Sequence, residues 1–354
     1  MDDRHPQGRA REASDLPVSV VIPAYNCEAY IREAVDSVLA QTFTGFELIV
    51  VNDASTDGTA DILGTYERAG SARVVTHERN RGLSAARNSG IRHARGTYVT
   101  FLDADDVWRA EKLAYQMSIL EDAPGIALLG NAEMNFWDGD NFTFPPLPAK
   151  SDLRPLQWER LLMGACGLSP SNAIMRRDCF EKVGGFDEDL RAAEDRDQWL
   201  RIVRRFRGVV DSAIVNAYRL RPESMSTDPA RMKENEKRVL EKAFKSVRSP
   251  LALRARAYAH VYLDIAITCY EAGQRFGALE HLLKSCLVWP LPLGRQVKRT
   301  PMVRLVWAVK ILLGRSTFEG LWGVAKRDLR ARTELSRVEA GVAADGRDPS
   351  EGAR

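Results

Sequence analysis

A β-branched, apolar run from Thr97 to Leu102 leads directly into Asp103, Asp105 and Asp106, three carboxylates within four positions. Negative charge at that density repels itself unless a cation or hydrogen-bond donors offset it. Mg²⁺ is typically held by one or two carboxylates together with substrate phosphates, so the run suits a metal–diphosphate site. It equally suits a solvated acidic turn that caps the following helix, because Asp is a good N-cap. A second acidic pair, Glu194 and Asp195, precedes a helical stripe of Trp199, Ile202, Val203 and Phe206. Asp195 lies one turn before Trp199, so the stripe would aim its carboxylate inward, where it can act as a general base. The bland alternative is a pair of acids complementing a helix dipole.

These carboxylates need a scaffold. Between residues 17 and 130 the chain alternates apolar strands (18–22, 46–51, 72–76, 97–102, 125–129) with helices (27–40, 57–66, 84–94, 109–121), Ser84 serving as an N-cap. The alternation predicts an α/β fold, a mostly parallel central sheet with helices on both faces. Ligands bind such sheets outside the carboxyl ends of the strands. Three strand ends then meet at one crevice: Pro23 to Asn26, Asn52 to Ser55, and the 103–106 acids. The chain has neither a GxGxxG at its first strand–helix turn nor a GxxxxGK[ST] loop. A diphosphate would lack a glycine-rich amide cradle, and a metal on the acids could supply the missing positive charge. Residues 131–170 read as loops and a short helix over the site. Beyond them come a strand at 171–175, helices at 177–183 and 195–206, a strand at 209–218 and a charged helix at 229–246.

With 354 residues the chain can hold one large domain and an appendage. A net charge of +3 carries no polyanion-binding signature, and nucleic acid is not an expected partner. Cys27, Cys166, Cys179, Cys269 and Cys286 are scattered without CxxC or Cys/His spacing, which indicates neither a zinc site nor a disulfide framework and fits a reducing compartment. His5, His77, His93, His260 and His281 form no cluster and read as structural or exposed. The polar N-terminus and the lack of any 18-residue apolar stretch predict neither a signal peptide nor a spanning helix, hence a cytoplasmic location, and make the sequon at Asn141 a chance match.

Residues 1–16 and 336–354 are polar and read as disordered tails. From Pro250 the pattern is all-helical, with helices at 251–272 and 274–288 broken at Gly273 and expected to pack on the preceding domain. Residues 290–337 carry 11 Lys/Arg against 3 acids, interleaved with Trp307, Leu312, Phe318 and Trp322. Such a segment suits peripheral contact with an anionic membrane face, and it equally suits a packed helix with a solvated basic side.

Taken in order, the motifs resemble glycosyltransferase family 2 enzymes of the GT-A (Rossmann-like) fold. The resemblance rests on the run from Val18 through Pro23, Tyr25 and Asn26, and on Val50 to Thr59 around Asp53. It continues through Asn80 to Ile91 with Arg87, then the 103–106 acids, and finally Gly184 to Leu190 followed by Ala193 to Arg201. It covers about residues 17–228 and implies a catalytic domain there, followed by an all-helical C-terminal extension at 229–335. The implied activity is an inverting, Mn²⁺- or Mg²⁺-dependent transfer from a nucleoside-diphosphate sugar, a UDP-sugar foremost. The acceptor would be a hydroxyl of a saccharide or lipid-linked saccharide, in bacterial cell-surface or exopolysaccharide synthesis. By resemblance Pro23, Tyr25, Asn26 and Glu28 belong to the nucleotide pocket, Asp53 contacts the base, and Arg87 serves the donor side. Asp103 contacts the ribose or metal, Asp105 is the main metal ligand, Asp195 is the catalytic base, and Glu194 stands beside it.

The sequence departs from the family at one position. Many relatives place a His after the last core strand, where this chain has Arg221. Arg does not ligate metals but pairs bidentately with phosphate, so Arg221 is either a diphosphate contact or a surface residue. Two other classes share these features: a non-catalytic nucleotide-sugar-binding protein, and a nucleotidyltransferase, which would release pyrophosphate.

Overall fold

The computed structural model describes residues 17–164, 167–221, 228–291, 293 and 303–313. The two expected tails, Cys166 and most of 290–337 lie outside the described residues. The elements run β1 (Val18–Ala24), α1 (Ile31–Leu39), β2 (Phe46–Asn52), α2 (Thr59–Arg68), β3 (Arg73–Thr76), α3 (Leu83–His93), β4 (Tyr98–Phe101), β5 (Val107–Trp108) and α4 (Lys112–Asp122). Then come β6 (Ile126–Trp137), β7 (Arg154–Pro155), α5 (Trp158–Leu162), a 3₁₀ turn (Pro170–Asn172), β8 (Ala173–Arg176), α6 (Asp178–Val183), α7 (Glu194–Val203) and β9 (Arg207–Leu220). Four helices follow: α8 (Pro229–Lys245), α9 (Leu251–Glu271), α10 (Arg275–Val288) and α11 (Val303–Leu313).

The strand order is β3-β2-β1-β4-β8-β6-β9-β5, with β7 also on β9. β1, β2, β3 and β4 are mutually parallel, which aligns the carboxyl ends of β1, β2 and β4 along one edge. β8 runs antiparallel to both β4 and β6, and β6 and β9 pair in parallel, so the sheet as a whole is mixed. Side-chain alternation sorts the strands into two cores. Val18, Val20 and Ile22 pack with Ile31, Val35, Leu63 and Leu113 of α1, α2 and α4. Val21, Ile49 and Phe101 face Ala86 of α3, Phe180 of α6 and Trp199 of α7 on the other side. Apolar residues two apart lie on one face of a strand, and this period is what splits β1 between two cores.

Three local readings change. The helix expected to start at Ser84 starts at Leu83, with Gly82 at φ 92° as its cap, and the buried Ser84 hydroxyl has no hydrogen-bond partner. The reason is tertiary: the carboxylate of Asp53 takes the amide hydrogens of Arg81 and Gly82, which satisfies the helix approach from outside the helix. The expected loop from 131 is instead the second half of β6, held against β9 as far as the Trp137–Leu220 pair. The short strand β5, which no local pattern marked, exists by pairing with Ala217 and Asn216 of β9.

The C-terminal helices continue the second core rather than standing apart. Val239, Leu263 and Ile311 belong to the same buried cluster as Trp199 and Phe101. α8 lies on α7, tied by the Arg196–Glu236 pair and by Lys242, whose ammonium reaches Asp187 at 2.7 Å and Asp197 at 2.9 Å. Where α3 crosses β1, a Cβ added to Gly90 would lie 2.2 Å from Val21 Cγ1. Gly90→Ala is therefore expected to destabilise the fold by about 1–3 kcal/mol through overpacking. The check is a lowered urea midpoint with an unchanged m-value; an unshifted midpoint would contradict this packing of α3.

Candidate active site

The ends of β1 and β2 are bolted to each other. The Asn26 amide donates to Ser55 Oγ, and Asn26 Oδ1 accepts from the Thr56 amide at 2.8 Å. The Cys27 amide donates to Thr59 Oγ1, the Glu28 amide donates to Asp57 Oδ2, and Glu28 Oε2 accepts from the Gly58 amide at 2.6 Å. Asn26 and Glu28 thus spend their side chains on bracing the two loops. Pro23 is buried in β1, opposite Val51. Tyr25, Asn26 and Glu28 are all exposed, and of the three Tyr25 presents a large apolar side chain, the residue being 49% exposed.

Asp53 is 2% exposed and also engaged. Besides the amides of Arg81 and Gly82, it meets His77 Nδ1 at 2.6 Å, and His77 Nε2 meets Ser89 Oγ at 2.7 Å. Asp, His and Ser are connected here in the order of a hydrolytic triad. Ser89, however, is buried, and its hydroxyl already accepts from Arg92 at 2.7 Å, so it cannot attack a substrate. The chain of contacts fixes the β2 end against α3 instead. No local pattern marks His77, because its partners come from 24 and 12 residues away.

The three acids after β4 have three different fates. Asp103 Oδ1 takes a hydrogen bond from Arg87 Nη2 at 2.7 Å. Arg87 is 1% exposed, and its other terminal nitrogen donates to Glu194 Oε1 at 2.5 Å. One buried guanidinium therefore joins the β4 strand end to the start of α7. Burial works against its charge, but Asp103 and Glu194 outweigh that and raise its pKa. Asp106 is buried as well. It accepts from the Arg219 amide and from Asn216 Nδ2, and Ser171 Oγ, which also takes the Asp103 amide, bonds to it. Desolvation pushes its pKa well up, so Asp106 is the residue that fastens β4 to β9 and to the 3₁₀ turn.

Asp105, like Asp103, keeps a partly exposed side chain, 21% against 27%. Burial, then the neighbouring Asp103, raise its pKa, while Arg221, which pairs with it, lowers it. Arg219 sits two residues earlier on the same strand face. It donates to the Asp105 carbonyl at 2.8 Å, pairs with Glu33 and Asp138, and lies 4.9 Å from the Tyr30 ring centroid. That two-residue spacing was the available signal for Arg219.

Asp195 stands at the first turn of α7. It is half-buried and accepts from the Arg196 amide at 2.6 Å. Burial and then Glu194 push its pKa up to about 7, against the pull of Arg87. The preceding residue, Ala193, is left-handed at φ 57°. The other non-glycine residues of positive φ among the described residues are Asn26 and Ala54, at the ends of β1 and β2. Such conformations cost about 1–2 kcal/mol each, and here they fall where the chain turns into the crevice.

Among the described residues no three His, Cys, Asp or Glu side chains cluster closely enough to cage a metal. Asp105 with Asp103 beside it nevertheless fits a divalent cation that takes its remaining ligands from a diphosphate.

An acidic strand end thus meets a helix-borne acid pair through a buried arginine, on a sheet of GT-A-like fold. Residues 19–184 match the model of Glycosyl transferase family 2. Over 104 residues the chain is 46% identical to TuaG of Bacillus subtilis, a glycosyltransferase assigned to teichuronic acid biosynthesis, a stretch covering 29% of this chain and 41% of that one. The chain spans about half the length, or less, of curated relatives it matches. In fold it resembles Staphylococcus aureus TarS 1–349, with a TM-score of 0.56, 19% identity, and 87% and 91% of the two chains covered. It also resembles the Pyrobaculum calidifontis mannosyltransferase PcManGT in complex with GDP-Man and Mn²⁺, with a TM-score of 0.55, 20% identity, and 84% and 87% covered.

Replacing Arg87 by Met would leave the buried Glu194 and the half-buried Asp103 without their cation. The expected loss is about 3–5 kcal/mol of unfolding free energy, the usual cost of stranding one side of a buried ion pair. Chemical denaturation measures it; a loss below about 1 kcal/mol would mean the bridge is not formed in solution.

Proposed function

We propose that the protein transfers a sugar from a nucleoside-diphosphate sugar to an acceptor hydroxyl, with inversion at the anomeric carbon. The observation that carries this reading is the Arg87 bridge, which holds the diphosphate-side acids and the Glu194–Asp195 pair at fixed separation across one crevice. In the reaction Asp195 takes the hydroxyl proton, the acceptor oxygen bonds the anomeric carbon, and the carbon–oxygen bond to the diphosphate breaks with its electron pair going to the phosphate oxygen. A carboxylate of pKa about 7 is matched to that task at neutral pH. Glu194, committed to Arg87, is a positioning residue. Asp105 and Asp103 would hold Mn²⁺ or Mg²⁺, whose chemistry is to stabilise charge on the departing diphosphate. The GDP-Man and Mn²⁺ complex of the mannosyltransferase supports a nucleotide-sugar donor and a divalent ion. The likeness to TuaG supports a cell-surface polysaccharide, free or lipid-linked, as acceptor. Tyr25 offers its ring to the nucleotide base, and Asp53 acts on that pocket by holding the Arg81 and Gly82 amides.

The domain reading supported here is a catalytic unit at 17–228 with a helical extension to 335. That extension is proposed to rest against an anionic membrane face. No described helix is long and apolar enough to cross a membrane. Yet Phe276, Leu283 and Leu287 of α10 and Leu305 and Leu312 of α11 are all more than half exposed, beside the basic 290–337 stretch. Interfacial binding draws on this combination of apolar and basic surface.

Asp195→Asn is expected to lower transfer by about 10²–10⁴ while nucleotide-sugar affinity stays within a few-fold. In the wild type kcat/KM should fall as pH drops below about 7, because protonated Asp195 cannot accept the hydroxyl proton. Coupled detection of the released nucleoside diphosphate reads both, and near-normal turnover of the variant would refute the assignment. Release of pyrophosphate instead would identify a nucleotidyltransferase. With anionic liposomes the full chain should co-sediment at low salt and be released as salt rises. Protein left in the supernatant at low salt would remove the membrane from the account.

A further inference from the structure

The two arginines that reach Asp105 are held very differently. Arg219 is 6% exposed at its side chain and gripped by the Asp105 carbonyl, Glu33 and Asp138. Arg221 has a side chain 34% exposed, and the Asp105 carboxylate is its ion-pair partner. Its remaining described contact is the Tyr30 ring, 5.1 Å from the guanidinium carbon, and its buried Nε has no hydrogen-bond partner. Arg219 thus anchors the strand end, whereas Arg221, among the described residues, has one ion-pair partner and one ring contact.

From this contrast we propose that Arg221 occupies Asp105 in the free enzyme and competes with a divalent cation for that carboxylate, yielding it only when a nucleoside diphosphate takes over the guanidinium. This rests on the reading of Asp105 as the metal ligand. Two cations cannot share one carboxylate without mutual repulsion, and removing either strengthens the hold of the other. A diphosphate relieves the conflict from both sides. Its oxygens accept the guanidinium bidentately, and they supply the further ligands that a small hard cation requires. The device links the two binding events. Metal without nucleotide meets an occupied site, and nucleotide with metal meets one that rearranges to accept both. Because coupling is reciprocal, the ion must also raise the affinity for the diphosphate. A monophosphate, which offers fewer oxygens at that position, should release Arg221 less well.

The test is Mn²⁺ binding to the full chain, followed by electron paramagnetic resonance or calorimetry, alone and with UDP or UMP. Wild type is expected to bind Mn²⁺ weakly alone. Arg221→Ala should tighten Mn²⁺ binding without nucleotide by about tenfold or more, the scale on which one adjacent charge shifts a carboxylate's affinity for a proton. The same change should weaken UDP more than UMP. Arg221→Lys keeps the charge and should stay near wild type for Mn²⁺ alone. Asp105→Asn placed on Arg221→Ala should abolish the gain. If wild type binds Mn²⁺ with UDP but Arg221→Ala leaves its affinity without nucleotide unchanged or weaker, the competition is refuted and the metal reading survives. If no variant binds Mn²⁺ even with UDP, or Asp105→Asn has no effect, the metal reading itself falls.

Discussion

The buried guanidinium of Arg87, shared between Asp103 and Glu194, is the constraint on which the rest of the site depends. Removing it would leave the buried Glu194 and the half-buried Asp103 without their shared cation, which is costly where water is excluded. Its position on α3 is in turn set by Gly90, which lets the helix approach β1 closely, and by Asp53, which holds the residues leading into that helix. The bridge spans 107 residues of sequence to Glu194 and 16 to Asp103, so one side chain fixes the relative placement of two halves of the chain. Asp195 benefits indirectly. The positive charge nearby limits how far burial and Glu194 lift its pKa, and leaves it at about 7.

Around this bridge the other acids divide the remaining work. Asp106 is a fastening residue, with Ser171, Asn216 and the Arg219 amide arranged about its carboxylate. Arg219 ties the same strand end to α1 and to the tip of β6. Many of the polar groups at this edge are satisfied within the protein, while Tyr25, Asp103, Asp105, Asp195 and Arg221 stay at least partly exposed. The helical extension supports the same architecture from outside. α8 holds α7, the helix that carries Asp195, through Glu236 and Lys242.

Strong periodic signals carried most of the fold reading. Strands β1 to β4 and their intervening helices follow from short apolar runs and amphipathic spacing, and a run such as Val18 to Ile22 can only be satisfied inside a covered sheet. The weaker elements failed for a physical reason. The outer half of β6 is partly polar, and its strand conformation comes from pairing with β9, which begins about 80 residues later. Ser84 carried a good capping side chain, yet Asp53 had already met the need a cap would serve.

The types and order of the site residues were determined by the sequence itself. Three acids close a strand, an acid pair opens a helix one turn before Trp199, and Arg221 follows the last apolar strand. Those facts are local, and they were enough to bring out the resemblance to family 2 glycosyltransferases that the family model also finds over residues 19–184. The division of labour among the residues was decided by the tertiary structure alone. Asp53, Asn26 and Glu28 brace loops, Arg87 bridges, Asp106 fastens, and Asp105 pairs with Arg221. A carboxylate's role depends on which donor reaches it and how much water it loses. Both quantities are set by residues distant in sequence, which come together only when the sheet and the second core are assembled.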